Sequence, residues 1–384
     1  MTMKTPKGPP AHQAGPGDRL PAKAPAGTSG KPRGARRLTL GDMADALGVS
    51  TATVSLALRD SPLVAPATRA RIKAHALAAG YVYNRSAAAL RTARSNMIGV
   101  AVHDILNPYF AEVFRALEDE LGRENQVVLI CNHRDDVTRQ TRFVETLMQH
   151  RVDGLVICAS VGTQAKDINA LADSGLPVTL ICRDVAGARV PVVRSDDVAG
   201  ARMVVAHLVA QGHRNIAMIG GRRQSSSGHD RNLGWKQALE AAGIDAAGQL
   251  DIPELMTAAD GRDAVARLLR ATPRPTAVFA FNDLIAHGLL SALRRAGVEP
   301  GKDIAVAGYD DTDGAASRTP ALTSVWNKPD EIGRIAAALM LRQISGAPVG
   351  PAPAPILPEL RVRESTPSPR PQSDAPAPGP TTQH

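Results

Sequence analysis

The chain has 384 residues, 43% hydrophobic and 3% aromatic, and a formal net charge of +8. That length allows more than one domain around a large buried core, and no apolar run approaches the ~18 residues a membrane helix requires. The charge is uneven. Residues 1–37 hold eight Lys/Arg against Asp18, and residues 38–95 hold seven against Asp42, Asp45 and Asp60, so the first 95 carry +11 and the remaining 289 carry −3. Such asymmetry points to a polyanion-binding N-terminal part joined to a body with another task, or else to a merely solubilising basic tail.

The opening MTMKTPKGPP develops no apolar core of a secretory signal. Cys131, Cys158 and Cys182 each end a short apolar run. Their odd number and wide spacing suit reduced core thiols in a cytoplasmic protein better than a disulfide framework or a metal site. Residues 1–37 and 366–384 are rich in Pro, Gly and Ala without apolar period, and are expected to be disordered tails.

Residues 38–83 read as three short helices. Thr39-Leu40-Gly41-Asp42 has the Thr-x-x-acid form of a capping box. Gly48 ends that helix, Ser50 caps a second from Thr51 to about Leu58, and a third runs from about Pro66 to Ala79. Residues 84–95 form a short linker. From Ser95 the texture becomes strands alternating with helices. Strands are expected at Met97–Val102, Val127–Cys131, Gly154–Cys158, Val178–Ile181, Val190–Val193, Ile216–Ile219, Ala277–Ala280 and Ile304–Ala307. Helices are expected at Phe110–Glu124, Arg139–His150, Gly200–Gln211, Gly234–Ala242, Arg262–Arg270 and Leu284–Ala296. This alternation signals right-handed βαβ units, and eight or more strands fit two lobes better than one sheet. Ligand would then bind outside the strand C-terminal ends.

The second helix carries the most specific chemistry. With Val54 and Leu58 turned to the other helices, Thr51, Ala52, Ser55, Leu56 and Arg59 fall on or near its outer face. Small polar residues at an exposed helix start suit the major groove. The Thr53 and Ser55 hydroxyls, with flanking arginines, suit phosphates. An ordinary three-helix bundle is the competing reading.

Thr39 through Tyr81 resembles the helix-turn-helix headpiece of the lactose/galactose repressor (LacI/GalR) family. The match rests on Thr-Val-Ser at 53–55, Ala79-Gly80-Tyr81, Asn84 through Thr92 and Asn107-Pro108-Tyr109-Phe110. It continues through Asp153-Gly154, Gly212-His213-Arg214, Asn282-Asp283, Gly308-Tyr309-Asp310, Pro320-Ala321-Leu322-Thr323 and Arg363-Glu364-Ser365-Thr366. The resemblance implies an all-α headpiece followed by an α/β two-lobed, periplasmic-binding-protein-like domain over 96–365. Its parallel sheets would carry helices on both faces, with chain crossings near 194–197 and 324–328.

The same resemblance implies base contacts from Thr51, Ala52 and Leu56, and phosphate contacts from Thr39, Ser50, Thr53, Ser55 and Arg59. Many family members carry Arg where this chain has Leu56, which offers a base only apolar contact. Residues 84–91 match the family's hinge helix, too short to be stable alone in water. Leu90 would wedge into a minor-groove step with Ala89 beside it. In the body, Asn107, Tyr109, Phe110, Arg183, Arg231, Asp283 and Asn327 match effector-binding positions. Tyr109 and Phe110 also fit a core, and Asn282-Asp283 also fits a helix cap. Sugar-binding relatives often have Asp-Arg where this chain has Cys182-Arg183, and a thiol cannot accept two hydroxyl bonds.

The implied function is a dimeric regulator, probing a pseudo-palindromic operator on double-stranded DNA and gated by a small sugar-like effector. No catalytic group, metal, cofactor or membrane contact is expected. The alternatives are a solute-binding protein, disfavoured by the missing signal peptide, and an α/β sugar-metabolising enzyme. The enzyme is disfavoured by the missing phosphate loop and catalytic pairing.

Overall fold

In the computed structural model, which describes residues 38–81 and 94–367, Thr39 caps the first helix as its spacing requires. Its Oγ1 accepts from the Asp42 amide at 3.2 Å while Asp42 Oδ2 accepts from the Thr39 amide at 2.8 Å, opening α1 (Leu40–Leu47). Gly48, at φ 65°, ends α1 in the left-handed region that favours glycine. Ser50 then accepts from the Thr53 amide at 3.1 Å to start α2 (Thr51–Leu58). Pro66, suited to a first helical turn, begins α3 (Pro66–Ala78). Met43, Ala44, Val54, Ala57, Val64, Ile72 and Ala76 form the core of this small unit. Across its surface Lys73 Nζ meets Asp60 at 2.6 Å and Arg69 donates to the Asp60 carbonyl at 2.9 Å.

Residues 94–367 form a separate unit, described by itself. The hinge residues Ala89 and Leu90 and the two expected tails lie outside the described residues, except Thr366 and Pro367. Those two belong to the body instead. Thr366 Oγ1 bonds His207 Nε2 at 2.9 Å and Thr323 Oγ1 at 2.8 Å, and His213 donates to the Pro367 carbonyl. Polar partners on both sides hold this end, which composition alone could not show.

The first lobe is a parallel sheet in the order β2-β1-β3-β4-β5. Its strands are β1 (Met97–Val102), β2 (Val127–Asn132), β3 (Gly154–Ile157), β4 (Val178–Ile181) and β5 (Val192–Val193). Alternate residues feed opposite faces: Ile98, Val100 and Val102 pack under α4 (Pro108–Arg123), while Leu155 and Ile157 pack under α5 (Val137–Gln149) and α6 (Ala165–Asp173). Both faces are covered, as a parallel sheet needs. The chain crosses near Ser195 into the second lobe, whose strand order is β11-β10-β9-β8-β6-β7. These are β6 (Ile216–Ile219), β7 (Asp251–Ile252), β8 (Ala277–Ala280), β9 (Ala305–Tyr309), β10 (Thr323–Trp326) and β11 (Glu359–Arg361). One face holds α7 (Asp197–Ala210) and α8 (Ser226–Ala241). The other holds α9 (Ala258–Arg270) and α10 (Asp283–Arg295), and the short α11 (Asp313–Ser317) follows β9.

Two features go beyond the sequence reading. After β10 the chain returns to the first lobe as α12 (Pro329–Ser345), whose Ile332, Ala336, Ala337 and Met340 join the α4 side of that core. A third crossing then follows at Ile356, which bridges to Ser195, and β11 pairs antiparallel with β10. The second sheet is therefore not wholly parallel. A strand arriving from the other lobe enters its edge in the reverse direction.

The α4–α12 contact depends on Gly333, where an added Cβ would meet the Val113 carbonyl, the Ala116 side chain and the Leu117 amide. Helix backbones this close cannot yield like a flexible side chain. Gly333→Ala is expected to lower body stability by about 1–3 kcal/mol in chemical denaturation. A stabilised variant would show that the helices separate freely.

Candidate functional site

On α2, Thr51, Ala52 and Arg59 are exposed and Thr53 is half-buried. The Ser50 and Thr53 hydroxyls bond each other at 2.8 Å over the helix start. Two expectations change here. Ser55 is 3% exposed, so its hydroxyl is not on the outer face. It sits between Val54 and Ala57, and a two-turn helix wedged between α1 and α3 buries a wider arc than Val54 and Leu58 alone suggest. Leu56 is half-buried and packs partly against the core rather than standing free. Arg59 folds back, its Nε donating to the Ser55 carbonyl at 3.2 Å.

In the body, the C-terminal ends of both sheets face one cavity of about 430 Å³, solvent mouth included. Only about 30 Å³ of it is free cavity, room for little more than a water or two, so the lobes must part to admit a larger ligand. Asn107, Tyr109, Phe110, Arg183, Arg231 and Asn327 all line it. Asn107 follows β1 and caps α4, accepting from the Tyr109 amide at 3.2 Å. Its Nδ2 reaches across to Asp310 Oδ2 at 3.0 Å, linking the lobes. Asn327 Nδ2 donates to the other Asp310 oxygen at 3.1 Å. Asp310 directly follows β9 with φ 107°, a strained conformation for a non-glycine residue.

Arg231 is 6% exposed, its guanidinium 3.5 Å from the Tyr309 ring centroid and 4.5 Å from that of Phe281. Its Nε donates to Asp197 at 2.9 Å and its Nη1 to the Phe281 carbonyl at 2.6 Å, with Asp310 at 3.8 Å. Burial alone would lower its basicity, but Asp197, Tyr309 and Asp310 reverse that and hold it cationic. Burial pushes Asp310 up to about 6, with Arg231 and the two amides pulling the other way.

Asp283 does not belong to this wall. It lies 1% exposed, accepting from Ser324 Oγ at 2.6 Å, the Thr312 amide at 2.8 Å and the Thr312 hydroxyl at 3.1 Å. A side chain on Gly308 would collide with its carboxylate. Asn282 caps α10, so the capping reading of Asn282-Asp283 holds, and Asp283 ties β10 to the loop after β9. Burial and the nearby Asp310 charge push its carboxyl up to about 8. The acid in the cleft is Asp310.

Arg183 is also not a free fork. Its Nη1 and Nη2 pair with Asp135 at 2.7 and 3.3 Å, and Nη1 also meets the Ala159 carbonyl at 3.1 Å. Arg222 approaches the same carboxylate from the second lobe at 3.1 Å. Burial would raise Asp135, yet the guanidinium of Arg183 holds it at about 2. Sequence reasoning missed Asp135, Asp197 and Asp310. Only Asp310 had a local signal, the Gly308-Tyr309-Asp310 run closing a strand.

Comparison with known proteins matches this architecture. Residues 39–84 match the model of bacterial regulatory proteins of the lacI family, and residues 205–366 match a periplasmic binding protein-like domain. The chain is 32% identical over 337 residues to the HTH-type transcriptional regulator DegA of Bacillus subtilis, covering 86% of this chain and 98% of that protein. It is 32% identical to the HTH-type transcriptional repressor CytR of Escherichia coli, over 85% and 96% of the two chains. Among solved structures, the Lac repressor dimer bound to operator and an anti-inducer superposes with a TM-score of 0.75 at 27% identity. That match covers 86% of this chain and all of the other. A regulator from Enterococcus faecium with bound ribose gives 0.65 at 29%, over 71% of this chain and all of the other.

Proposed function

Because the chain belongs to the lacI family of bacterial regulatory proteins, we propose that it is an effector-gated repressor acting on operator DNA as a homodimer. One observation carries this. The same chain holds a headpiece with an exposed α2 start and a two-lobed body whose lobes are joined across a cavity by Asn107 and Asp310. The effector is a small polar molecule, sugar-like in its hydroxyls. Asp310 accepts from it, Arg231 and Asn327 border it, and Tyr109 and Phe110 cover its apolar C–H faces. A ligand between the lobes competes for the Asn107–Asp310 contact, so its binding energy is coupled to lobe closure and thence to the headpieces. The related E. faecium regulator, solved with ribose, supports a sugar.

On DNA, Thr51 and Ala52 read base edges together with the exposed part of Leu56. Thr39, Ser50, Thr53 and Arg59 serve phosphates, and two headpieces read two half-sites on the bacterial nucleoid. Leu90 with Ala89 wedges the minor groove between them. Selection of duplexes from a random pool by the purified protein should enrich a pseudo-palindrome. Thr51→Ala should relax discrimination at one position in each half-site by about 1–3 kcal/mol, and Leu90→Ala should reduce DNA bending. A panel of pentoses, hexoses, sugar acids and nucleosides should contain one whose thermal shift vanishes in Asp310→Asn and which alters duplex retention. No enriched sequence, or turnover of a sugar, would sink this reading.

A further inference from the structure

The cleft wall on the first lobe contains a second chemistry that operator binding does not use. Cys158 directly follows β3 and Cys182 directly follows β4, two neighbouring parallel strands in which Ile157 stands opposite Leu180. Both sulfurs pack against the same core face. Their backbones are pinned, Cys158 N donating to the Ala101 carbonyl and Cys182 N to the Val193 carbonyl, each at 2.9 Å. The two sulfurs have different surroundings. Cys158 is fully buried, with His103 Nδ1 3.5 Å from its Sγ. Cys182 is partly exposed, lines the effector cavity and lies 3.3 Å from the Tyr109 hydroxyl.

The neighbouring Cys182 thiol, then His103 and Arg183, hold the Cys158 thiol well below its ordinary range despite burial, while the same neighbour and its own burial push the Cys182 thiol well above. An acidic sulfur sealed from solvent, beside a second sulfur that lines a solvent cleft, can serve its neighbour first as a base and then as the resolving partner. A metal does not explain the cluster. Among the described residues no group of three or more His, Cys, Asp or Glu is arranged to hold one.

We propose that Cys158 and Cys182 are a hydroperoxide-responsive thiol pair that closes to a disulfide inside the effector cleft. The Cys158 thiol gives its proton to the neighbouring His103 Nδ1, and the resulting Cys158 thiolate takes the Cys182 proton as a base, so that Cys182, the sulfur that incoming peroxide meets, attacks as the thiolate. That thiolate attacks one peroxide oxygen. An S–O bond forms, the O–O bond breaks, and the departing alkoxide or hydroxide takes up a proton from the His103 side. The result is a sulfenic acid. Cys158 then attacks the Cys182 sulfur. The S–S bond forms, the S–O bond breaks, and hydroxide leaves with the Cys158 proton as water. Two thiols are oxidised and one hydroperoxide is reduced, giving one disulfide, one alcohol or water, and one water. Oxidation takes the thiol hydrogen from the sulfur facing Tyr109 and fixes the ends of β3 and β4 together, reshaping the wall against which a ligand packs. This consequence for effector binding rests on the cleft reading above, whereas the chemistry of the pair does not.

The test uses the reduced full-length protein and hydrogen peroxide, so it needs neither operator nor effector. Alkylation under denaturing conditions should count three thiols before treatment and one after. The intact mass should fall by two hydrogens, the digest should show a Cys158–Cys182 linked peptide, and dithiothreitol should reverse all three changes. Cys131→Ser should behave as the parent does. Cys182→Ser, at the cleft edge where folding is least at risk, should form no disulfide. Retention of three thiols, linkage through Cys131, or over-oxidation of Cys182 with Cys158 still free would each overturn the proposal. The peptide map of the unsubstituted protein decides this even if a Cys158 variant fails to fold.

Discussion

Replacing Arg231 with alanine is expected to lower the melting temperature of the body by roughly 10 °C, before any ligand is considered. Its guanidinium is the counter-charge for two buried acids, Asp197 at 2.9 Å and Asp310 at 3.8 Å. It also fills the slot between the Tyr309 and Phe281 rings and satisfies the Phe281 carbonyl. Removing one partner of a buried ion pair costs about 3–5 kcal/mol, because the other charge stays desolvated and unpaired. In a domain of this size each kilocalorie moves the midpoint by roughly 2–4 °C. Lysine should not restore the loss, since a point charge cannot donate to a carboxylate and a carbonyl while lying flat between two rings. The double variant Arg231→Met, Asp197→Asn should lose less than the sum of its single changes, since it removes the buried charge with its partner. Calorimetry of the parent, the four single variants and the double variant checks this. A midpoint within 2 °C of the parent for Arg231→Ala would mean the guanidinium holds the cleft together far less than its contacts imply.

The response to ligand is then a separate measurement. Arg231 is so engaged within the second lobe that its variants confound stability with binding. Asp310 spans the lobes through Asn107, and Asp310→Asn keeps the size of the group while removing its charge. That is why the effector screen above relies on Asp310.

What the sequence displayed clearly was local chemistry. A Thr-x-x-Asp cap, a glycine in the left-handed region after α1 and short β-branched runs are decided within a few residues, and α1, α2, β1, β4, β6 and β8 appear where those signals put them. Information carried by distant partners was not legible. α12 has an alanine-rich middle and begins at Lys328 in a left-handed conformation without a side-chain cap, and its apolar face matters only because α4 receives it. Asp283 matches an effector-binding position of the family, and Asp310 is not singled out although it directly follows β9. Register decides between them: β10 beside β9 brings Ser324 to Asp283, and Asp310 is left facing Asn107. Arg183 looked free because its partner, Asp135, is 48 residues away. Ser55 looked exposed because a two-residue apolar pattern underestimates how much of a short helix its neighbours cover.

Asp283 also dictates how stability should vary with pH. Its carboxyl is held at about 8 in the fold, against roughly 3.9 in an unfolded chain. Between these values the folded state keeps a proton that the unfolded state has released. The acid's contribution to stability therefore falls as pH rises through that window and is lost above about 8. Asp310, held at about 6, acts in the same direction over a narrower range. His287 opposes both below neutrality. Burial, with Arg318 nearby, lowers it to about 4, so the unfolded chain binds the proton that the folded one refuses as pH falls below about 6.5. The interval from about 6.5 to 8 belongs chiefly to Asp283 among these three groups. Asp283→Asn imitates its protonated form: the amide Nδ2 donates to Ser324 Oγ, and Oδ1 accepts from the Thr312 amide. The variant should therefore gain on the parent by about 2 kcal/mol across that interval, from the roughly 1.4 kcal/mol carried by each pH unit. Asp283→Ala, which leaves Ser324 and Thr312 without their acceptor, should be the less stable variant at every pH, by about 1–3 kcal/mol for each unsatisfied group. Urea denaturation at pH 6.5 and 8 separates these cases. Parallel curves for the parent and Asp283→Asn would mean that Asp283 is already ionised in the fold. Its bonds to Ser324 and Thr312 would then outweigh its burial beside Asp310.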